Sequence, residues 1–107
     1  MVVACEPDVV GYALAARSVD PALGWILSVA VEGSFRKRGI GRALVVETLR
    51  RCASRGMTRV RCTVAPGNLA SERIWHALGF VEVAFDPAYF GAGEARHVLE
   101  LSLGEVG

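Results

Sequence analysis

The sequence predicts an α/β (α+β) fold, with a mixed central sheet and two helices in the order β-β-β-α-β-α-β-β. Short apolar runs bounded by turn residues predict the strands, and two segments with helical periodicity predict the helices. The strands precede, separate and follow the helices, which favours mixed strand directions. A length of 107 residues fits one domain, 1–107.

Three strands are predicted before the first helix. Val2 to Cys5 and Val9 to Ala16 are apolar runs separated by the turn Glu6-Pro7-Asp8, which is typical of a β-hairpin. Asp20-Pro21 breaks the chain again. Leu23 to Val31 is almost continuously apolar, so we expect a strand covered on both faces.

The first helix is predicted from Gly39 to Arg55. Arginines gather in its last turns, where cations suit the negative end of the helix dipole, and Gly56 stands where a helix-ending glycine belongs. One apolar stripe faces the core. It contains Ile40, Leu44, Val45, Leu49, Cys52 and Ala53.

The second helix is predicted from Leu69 to Leu78, with Asn68 as its N-cap and Gly79 at its end. We expect its core stripe to consist of Ala70, Ile74, Ala77 and Leu78. The remaining strands are predicted at Arg59 to Val64, Phe80 to Phe85 and His97 to Leu103.

The charge is distributed unevenly. The segment 36–61 holds nine of the 12 cationic residues and one acid, Glu47, so it carries +8 within a chain of net charge +1. Such asymmetry suggests an anionic partner, either nucleic acid or a phosphorylated small molecule. Nucleic acid is disfavoured because no aromatic residues are interleaved with the arginines.

Three cysteines, Cys5, Cys52 and Cys62, form no CxxC pair, and we interpret them as small hydrophobic residues. No signal peptide or membrane-spanning run is visible, so a cytoplasmic location and no membrane association are expected. The only histidines, His76 and His97, do not have metal-ligand spacing, so no metal is expected.

The run Arg36-Lys37-Arg38-Gly39-Ile40-Gly41-Arg42 lies between a predicted strand and a predicted helix. A helix start offers unpaired N–H groups and about +0.5 charge, and glycines let the backbone approach an anion. This combination favours a pyrophosphate site, although a solvated charged turn is the alternative. Neither GxGxxG nor the Walker pattern is present.

Two segments resemble a known family. Val29 to Leu44 is similar to the acetyl-coenzyme A (acetyl-CoA) signature of the GNAT N-acetyltransferase superfamily, Arg/Gln-x-x-Gly-x-Gly/Ala after an apolar strand. Asn68 to Phe80 resembles that family's Asn…Leu-Gly-Phe helix, and Val10-Gly11-Tyr12-Ala13 matches a common turn. The resemblance implies a GNAT-like fold and transfer of an acetyl group from acetyl-CoA to an amine acceptor by direct attack. The alternative is a binding module with little or no turnover.

The resemblance also implies roles for particular residues. The backbone amide of Val29 is expected to donate to the thioester oxygen as it becomes an oxyanion. Asn68 and Ser71 are expected to touch the pantetheine arm. The full set of implied acetyl-CoA contacts is Val29, Ala30, Val31, Arg36, Lys37, Arg38, Gly39, Ile40, Gly41, Arg42, Asn68, Ser71 and Trp75.

The sequence departs from the family pattern at the catalytic positions. Trp75 stands where many relatives have a Tyr that protonates the leaving thiolate, and Thr63 where some have a basic Glu. Ser28, Thr63 and Tyr89 are the remaining weak catalytic candidates. General acid–base help is typically worth about 10²–10⁴ in rate, so its loss slows transfer without forbidding it.

The sequence also begins at what resembles the family's second strand, without the usual first strand and two helices. We expect their absence to leave apolar surface exposed, because 52% of the chain is apolar. Such surface usually marks an interface, which predicts a homodimer. A shortened sequence or a degenerate remnant of the family is the alternative.

Overall fold

The computed structural model describes residues 2–5, 9–31 and 39–104, and only the backbone of residues 2–5, 9 and 10. Its strands are β1 (Val2–Cys5), β2 (Val9–Arg17), β3 (Leu23–Val31), β4 (Arg59–Val64), β5 (Val81–Asp86) and β6 (Arg96–Ser102). Its helices are α1 (Ile40–Ser54) and α2 (Leu69–Ala77). The predicted fold class and element order are confirmed.

The six strands form one sheet in the order β1-β2-β3-β4-β6-β5. All neighbouring pairs are antiparallel except β3 and β4, which are parallel. The β3–β4 register begins at Leu23–Arg59 and ends at Trp25–Arg61, so the two strands separate toward their carboxyl ends. A bulge between β2 and β3 leaves Leu27 without an opposite residue.

Both helices pack on one face of the sheet, which we call the helix face. Its core contains ten buried residues, namely Ile26, Val45, Cys52, Met57, Val60, Cys62, Val64, Trp75, Phe80 and Leu99. The two described thiols, Cys52 and Cys62, are therefore packed as small hydrophobic residues, as expected. Burial raises the pKa of the Cys62 thiol to about 12 and also raises that of Cys52.

The helix α1 buries one stripe against the sheet, mainly against β2 and β3. Its buried residues are Leu44, Val45, Thr48 and Cys52. The periodicity predicted this stripe except for Thr48, which fits because its hydroxyl donates to the carbonyl oxygen of Leu44 at 2.7 Å. The helix ends before Gly56, whose φ of +86° is favourable for glycine.

The predicted core stripe of α2 is wrong. The buried residue is Trp75, at 8% exposure, whereas Ile74 is 49% exposed. Ala70 and Ala77 are also exposed, and Leu78 is half-buried. The helix contacts the core through the indole of Trp75, and its second apolar side faces a cavity. Helical periodicity alone does not distinguish these two sides.

The expectation that β3 is covered on both faces is also wrong for the part of the chain that the structure describes. Leu14 and Leu27 are 38% and 60% exposed. The register places Leu14 opposite Ser28, one residue out of phase with buried Ala13, so Leu14 points away from the helices. We call this second surface the open face.

No described helix has the length and apolar character needed to cross a membrane.

Candidate active site

A cavity of about 720 Å³ lies where β3 and β4 separate, between the first turn of α1 and the exposed side of α2. This volume is within the usual range of about 300–1,000 Å³ for small-molecule sites. The lining residues are Val29, Ala30, Val31, Gly39, Ile40, Gly41, Arg42, Val45, Ala70, Ser71, Ile74 and Trp75. The site therefore combines one strand edge, one helix start and one helix side.

The first turn of α1 is an uncapped helix N-terminus. Gly39 occupies the N-cap position in the left-handed conformation, with φ of 76°, and among the described residues no side chain caps the turn. Such conformations are readily adopted by glycine and disfavoured for most other residues. The first N–H groups of a helix have no intrahelical partners, so this turn offers donors and partial positive charge to the cavity.

The start of α2 is satisfied differently. The Asn68 side-chain oxygen accepts a hydrogen bond from the Ser71 backbone N–H at 3.2 Å, which confirms the predicted cap. Asn68 does not line the cavity, and its amide oxygen acts as the N-cap of α2. Of the two described helix starts, α1 therefore has more backbone donors left for a ligand.

Trp75 belongs to both the core and the cavity. Its ring meets Phe80 edge-to-face with centroids 5.0 Å apart, and its indole N–H donates to the Ser71 hydroxyl at 3.1 Å. Both Ser71 and Trp75 line the cavity. Ser71 and Trp75 therefore share one side of α2, and Trp75 is part of both the core and the cavity wall.

The structure brings together nine of the thirteen residues expected to contact acetyl-CoA, all on one cavity. They are Val29, Ala30, Val31, Gly39, Ile40, Gly41, Arg42, Ser71 and Trp75. Arg36, Lys37 and Arg38 lie outside the described residues. The sequence interpretation did not include Val45, Ala70 and Ile74. Ala70 and Ile74 were assigned to the core because they are apolar and helically spaced.

The three catalytic candidates do not line this cavity. Ser28 lies on the open face within 3.4 Å of the Tyr12 hydroxyl. Thr63 also faces away from the helices, because it alternates with the buried residues Cys62 and Val64. Tyr89 lies in the β5–β6 loop, with its ring 4.8 Å from that of Phe90.

The histidines are held by other contacts. His76 approaches the Phe80 carbonyl oxygen at 2.9 Å through Nδ1. His97 lies between two carboxylates, with Nδ1 against Glu82 and Nε2 3.9 Å from Glu72. Neither histidine lines the cavity. Within residues 2–5, 9–31 and 39–104, no group of three His, Cys, Asp or Glu side chains is arranged to hold a metal ion.

Acidic partners neutralise much of the basic middle segment. Arg50 and Arg51 share Glu47, whose pKa those two hydrogen bonds lower from 4.5 to about 2. Arg61 contacts Glu100 at 2.9 Å, and Arg59 contacts Asp20 at 2.8 Å. These pairs leave no continuous basic stripe along α1 and β4, which argues against a nucleic-acid surface there.

The sequence profile of the acetyltransferase (GNAT) family matches residues 1–80. The chain belongs to this family. The match includes β3, the start of α1, all of α2 and therefore every described wall of the cavity.

Two curated relatives are acetyltransferases. The chain is 34% identical to mycothiol acetyltransferase from Thermobispora bispora, over 69% of this chain and 25% of that protein. It is 37% identical to L-2,4-diaminobutyric acid acetyltransferase from Streptomyces coelicolor, over 71% of this chain and 48% of that protein. The chain thus spans about a quarter and about half of these two relatives.

A solved structure of another protein has the same fold. It is yncA from Salmonella typhimurium, with its cofactor acetyl-CoA. The TM-score is 0.83 at 28% identity, and the match covers 98% of this chain and 65% of that one.

Proposed function

We propose that this GNAT chain is an N-acetyltransferase that moves an acetyl group from acetyl-CoA to an amine. The observation that carries the proposal is the continuous cavity from the uncapped start of α1, along the separated edge of β3, to Trp75. Its anion-binding end and its long apolar wall suit the two chemically different parts of acetyl-CoA.

The start of α1 binds the pyrophosphate in this proposal. The backbone N–H groups of Gly41 and Arg42 donate to phosphate oxygens, and the Arg42 guanidinium adds a charge-assisted contact. Arg36, Lys37 and Arg38 are proposed to complete this site from the preceding loop. Two glycines in the turn, Gly39 and Gly41, keep side chains from blocking the approach of the anion.

The edge of β3 holds the pantetheine arm and the thioester. The register with β4 stops at Trp25, so the β4 side of Val29–Val31 lies beside the cavity instead of a neighbouring strand. We assign the Val29 N–H to the thioester oxygen, where a donor is most useful as negative charge develops. Ile74 and Trp75 supply the apolar wall opposite.

The amine acceptor is proposed to approach from the open face, through the gap between β3 and β4. A neutral amine nitrogen attacks the acetyl carbon, the C–S bond breaks, and the amine proton and the thiolate are released separately. Ser28 and Thr63 lie on that face and remain the candidates for holding a proton-accepting water. Tyr89 remains a third candidate from the β5–β6 loop.

The alternative function is an acetyl-CoA-binding module with little or no turnover. Trp75 favours it, because an indole N–H is a donor without useful acidity near neutral pH. Thr63 favours it as well, because a hydroxyl is a poor base. Positioning alone contributes substantially to acyl transfer, so neither residue forbids the reaction.

One assay separates these functions. Thiol release from acetyl-CoA is followed with a panel of polyamines, amino acids and peptides whose N-termini are free. Release that depends on an amine supports the transferase. Saturable binding without release on any acceptor supports the module, and absence of binding contradicts both.

We also propose a homodimer. Leu14 and Leu27 are exposed on the open face, and β5 exposes Val81, Val83 and Phe85 at 60%, 44% and 50%. Large apolar side chains exposed in this way support an interface between two copies of the chain. Light scattering is expected to give twice the mass of the 11.4 kDa chain, and a stable monomer at micromolar concentration contradicts the dimer. A cytoplasmic location stays a prediction.

A further inference from the structure

A second cavity, of about 300 Å³, lies between β2 and the last turns of α1. Its lining residues are Ala13, Ala15, Ala16, Arg17, Thr48, Arg51, Cys52, Arg55 and Met57. None of them lines the candidate active site. The two cavities lie toward opposite ends of a 15-residue helix, which is roughly 22 Å long at 1.5 Å per residue.

The rim of this cavity is cationic. Arg17 projects from the end of β2, while Arg51 and Arg55 lie at the end of α1. Nη2 of Arg17 donates to the backbone carbonyl oxygen of Arg55 at 2.6 Å, which fixes the guanidinium at the cavity mouth. A guanidinium has five N–H donors, so most of those on Arg17 remain available.

Two of the three rim charges, those of Arg17 and Arg55, are not balanced by acids in the described part of the chain. Arg17 and Arg55 form no ion pair there, and Arg51 shares Glu47 with Arg50. The like charges of Arg17 and Arg55 beside one recess repel each other, and an anion between them removes this repulsion. Arginine also recognises carboxylate and phosphate groups through paired hydrogen bonds.

The floor of the cavity is largely apolar. Ala13 and Met57 are 0% and 5% exposed, and Cys52 is 5% exposed. The Thr48 hydroxyl is already committed to the Leu44 carbonyl oxygen. A ligand that enters this recess therefore meets hydrocarbon below and guanidinium donors above.

We propose that this cavity is a second binding site, for a small oxyanion that carries a short apolar body. The anionic head, a carboxylate or a phosphate, contacts Arg17 and Arg55 at the rim. The apolar body covers Met57 and Ala15. This site is separate from the acetyl-CoA cavity, and its occupancy does not depend on the proposed acetyl transfer.

Methionine methyl signals provide a direct test, because Met57 is one of only two methionines in the chain. In a protein carrying ¹³C-methyl methionine, hexanoate is expected to shift the Met57 signal saturably. Hexanamide has the same body without the charge and is expected to leave it unchanged. If inorganic phosphate competes with hexanoate, phosphate is also an accepted head group. If acetate does not compete with hexanoate, a carboxylate needs the apolar body in order to bind.

Two variants identify the rim residues. Arg17→Gln and Arg55→Gln are each expected to weaken the binding of hexanoate by about tenfold, because each loses one charge-assisted contact. Arg73→Gln, on the exposed part of α2, is the matched control and should leave the affinity for hexanoate unchanged. Thermal unfolding verifies that each variant is folded.

The site is contradicted by the absence of a saturable Met57 shift with hexanoate or phosphate. It is equally contradicted by an equal shift with hexanamide, or by affinity that survives in both arginine variants. Acetyl-CoA titration of Arg17→Gln should match the parent protein. Failure of the anion site and failure of the active-site assignment are therefore distinguishable.

Discussion

The indole N–H of Trp75 donates to the Ser71 hydroxyl at 3.1 Å, one turn earlier on α2. This bond holds the indole against the cavity while its ring edge packs on Phe80. The donor nearest to the proposed thioester on this wall is thereby occupied within the helix. In the proposed reaction the indole thus forms part of the binding wall and supplies no acid for the leaving thiolate.

The first prediction follows from that relationship. Trp75→Tyr places a phenol in the wall, at the position where many relatives have their general acid. We expect kcat for acetyl transfer to rise by about tenfold or more, because proton donation is typically worth ~10²–10⁴. Trp75→Phe is the matched control without a hydroxyl. Equal turnover by the Tyr and Phe variants refutes the explanation.

The second prediction concerns tryptophan fluorescence. Trp75 lines the cavity, whereas Trp25 lies on the other face with the Arg61 guanidinium 5.9 Å from its ring centroid. Acetyl-CoA is therefore expected to change the emission of Trp25→Phe, in which Trp75 is the remaining reporter. The emission of Trp75→Phe should stay constant. The reverse pattern shows that the ligand binds elsewhere.

A third prediction tests the close approach of β2 and β3 beside the site. A Cβ on Gly11 would lie 2.9 Å from the Ala30 carbonyl oxygen, and backbone cannot yield as a flexible side chain does. Gly11→Ala is expected to lower the free energy of unfolding by about 1–3 kcal/mol. The same substitution should also weaken the binding of acetyl-CoA, since Ala30 lines the cavity.

Gly41→Ala is the matched control for unfolding in denaturant. A Cβ there would meet Val31 Cγ2 at 3.7 Å, which is ordinary contact. Its stability should stay close to that of the parent chain. If Gly11→Ala is equally stable, the strands do not approach as closely as described.

The fourth prediction concerns thiol reactivity. Burial raises the pKa of Cys62 from 9.0 to about 12, so the reactive thiolate is roughly 10³-fold scarcer at a given pH below both values. Cys62 is expected to react very slowly with an alkylating reagent at pH 8, and to react readily in denaturant. Site-resolved mass spectrometry measures each rate. Rapid alkylation of Cys62 in the folded chain contradicts its place in the core.

Much of the fold was predictable because local signals and tertiary packing agree. The apolar run Leu23–Val31 is a strand over its full predicted length, and Asn68 caps α2 as expected. The α1 stripe was predictable because its apolar residues face a single core. The burial of Thr48 was not predicted, because burying a polar side chain usually costs free energy. The hydrogen bond from its hydroxyl to the Leu44 carbonyl oxygen offsets that cost.

The errors lie where an apolar residue serves a purpose other than the core. Ile74 has the spacing of a core residue and faces the cavity, because a ligand wall also requires hydrocarbon. Leu27 was expected to be buried and is exposed at the bulge in β3. The anion site was missed for a different reason. Arg17 and Arg55 are 38 residues apart and meet only in the folded chain.

The central claim is that the start of α1 binds the pyrophosphate of acetyl-CoA, and calorimetric titration with a matched pair of charge variants tests it most directly. Gly41→Glu places a carboxylate inside the cavity, whereas Val46→Glu adds the same charge at an exposed position on the same helix. We expect saturable binding by the parent chain and by Val46→Glu, and none by Gly41→Glu. Unchanged affinity in a folded Gly41→Glu protein contradicts the claim.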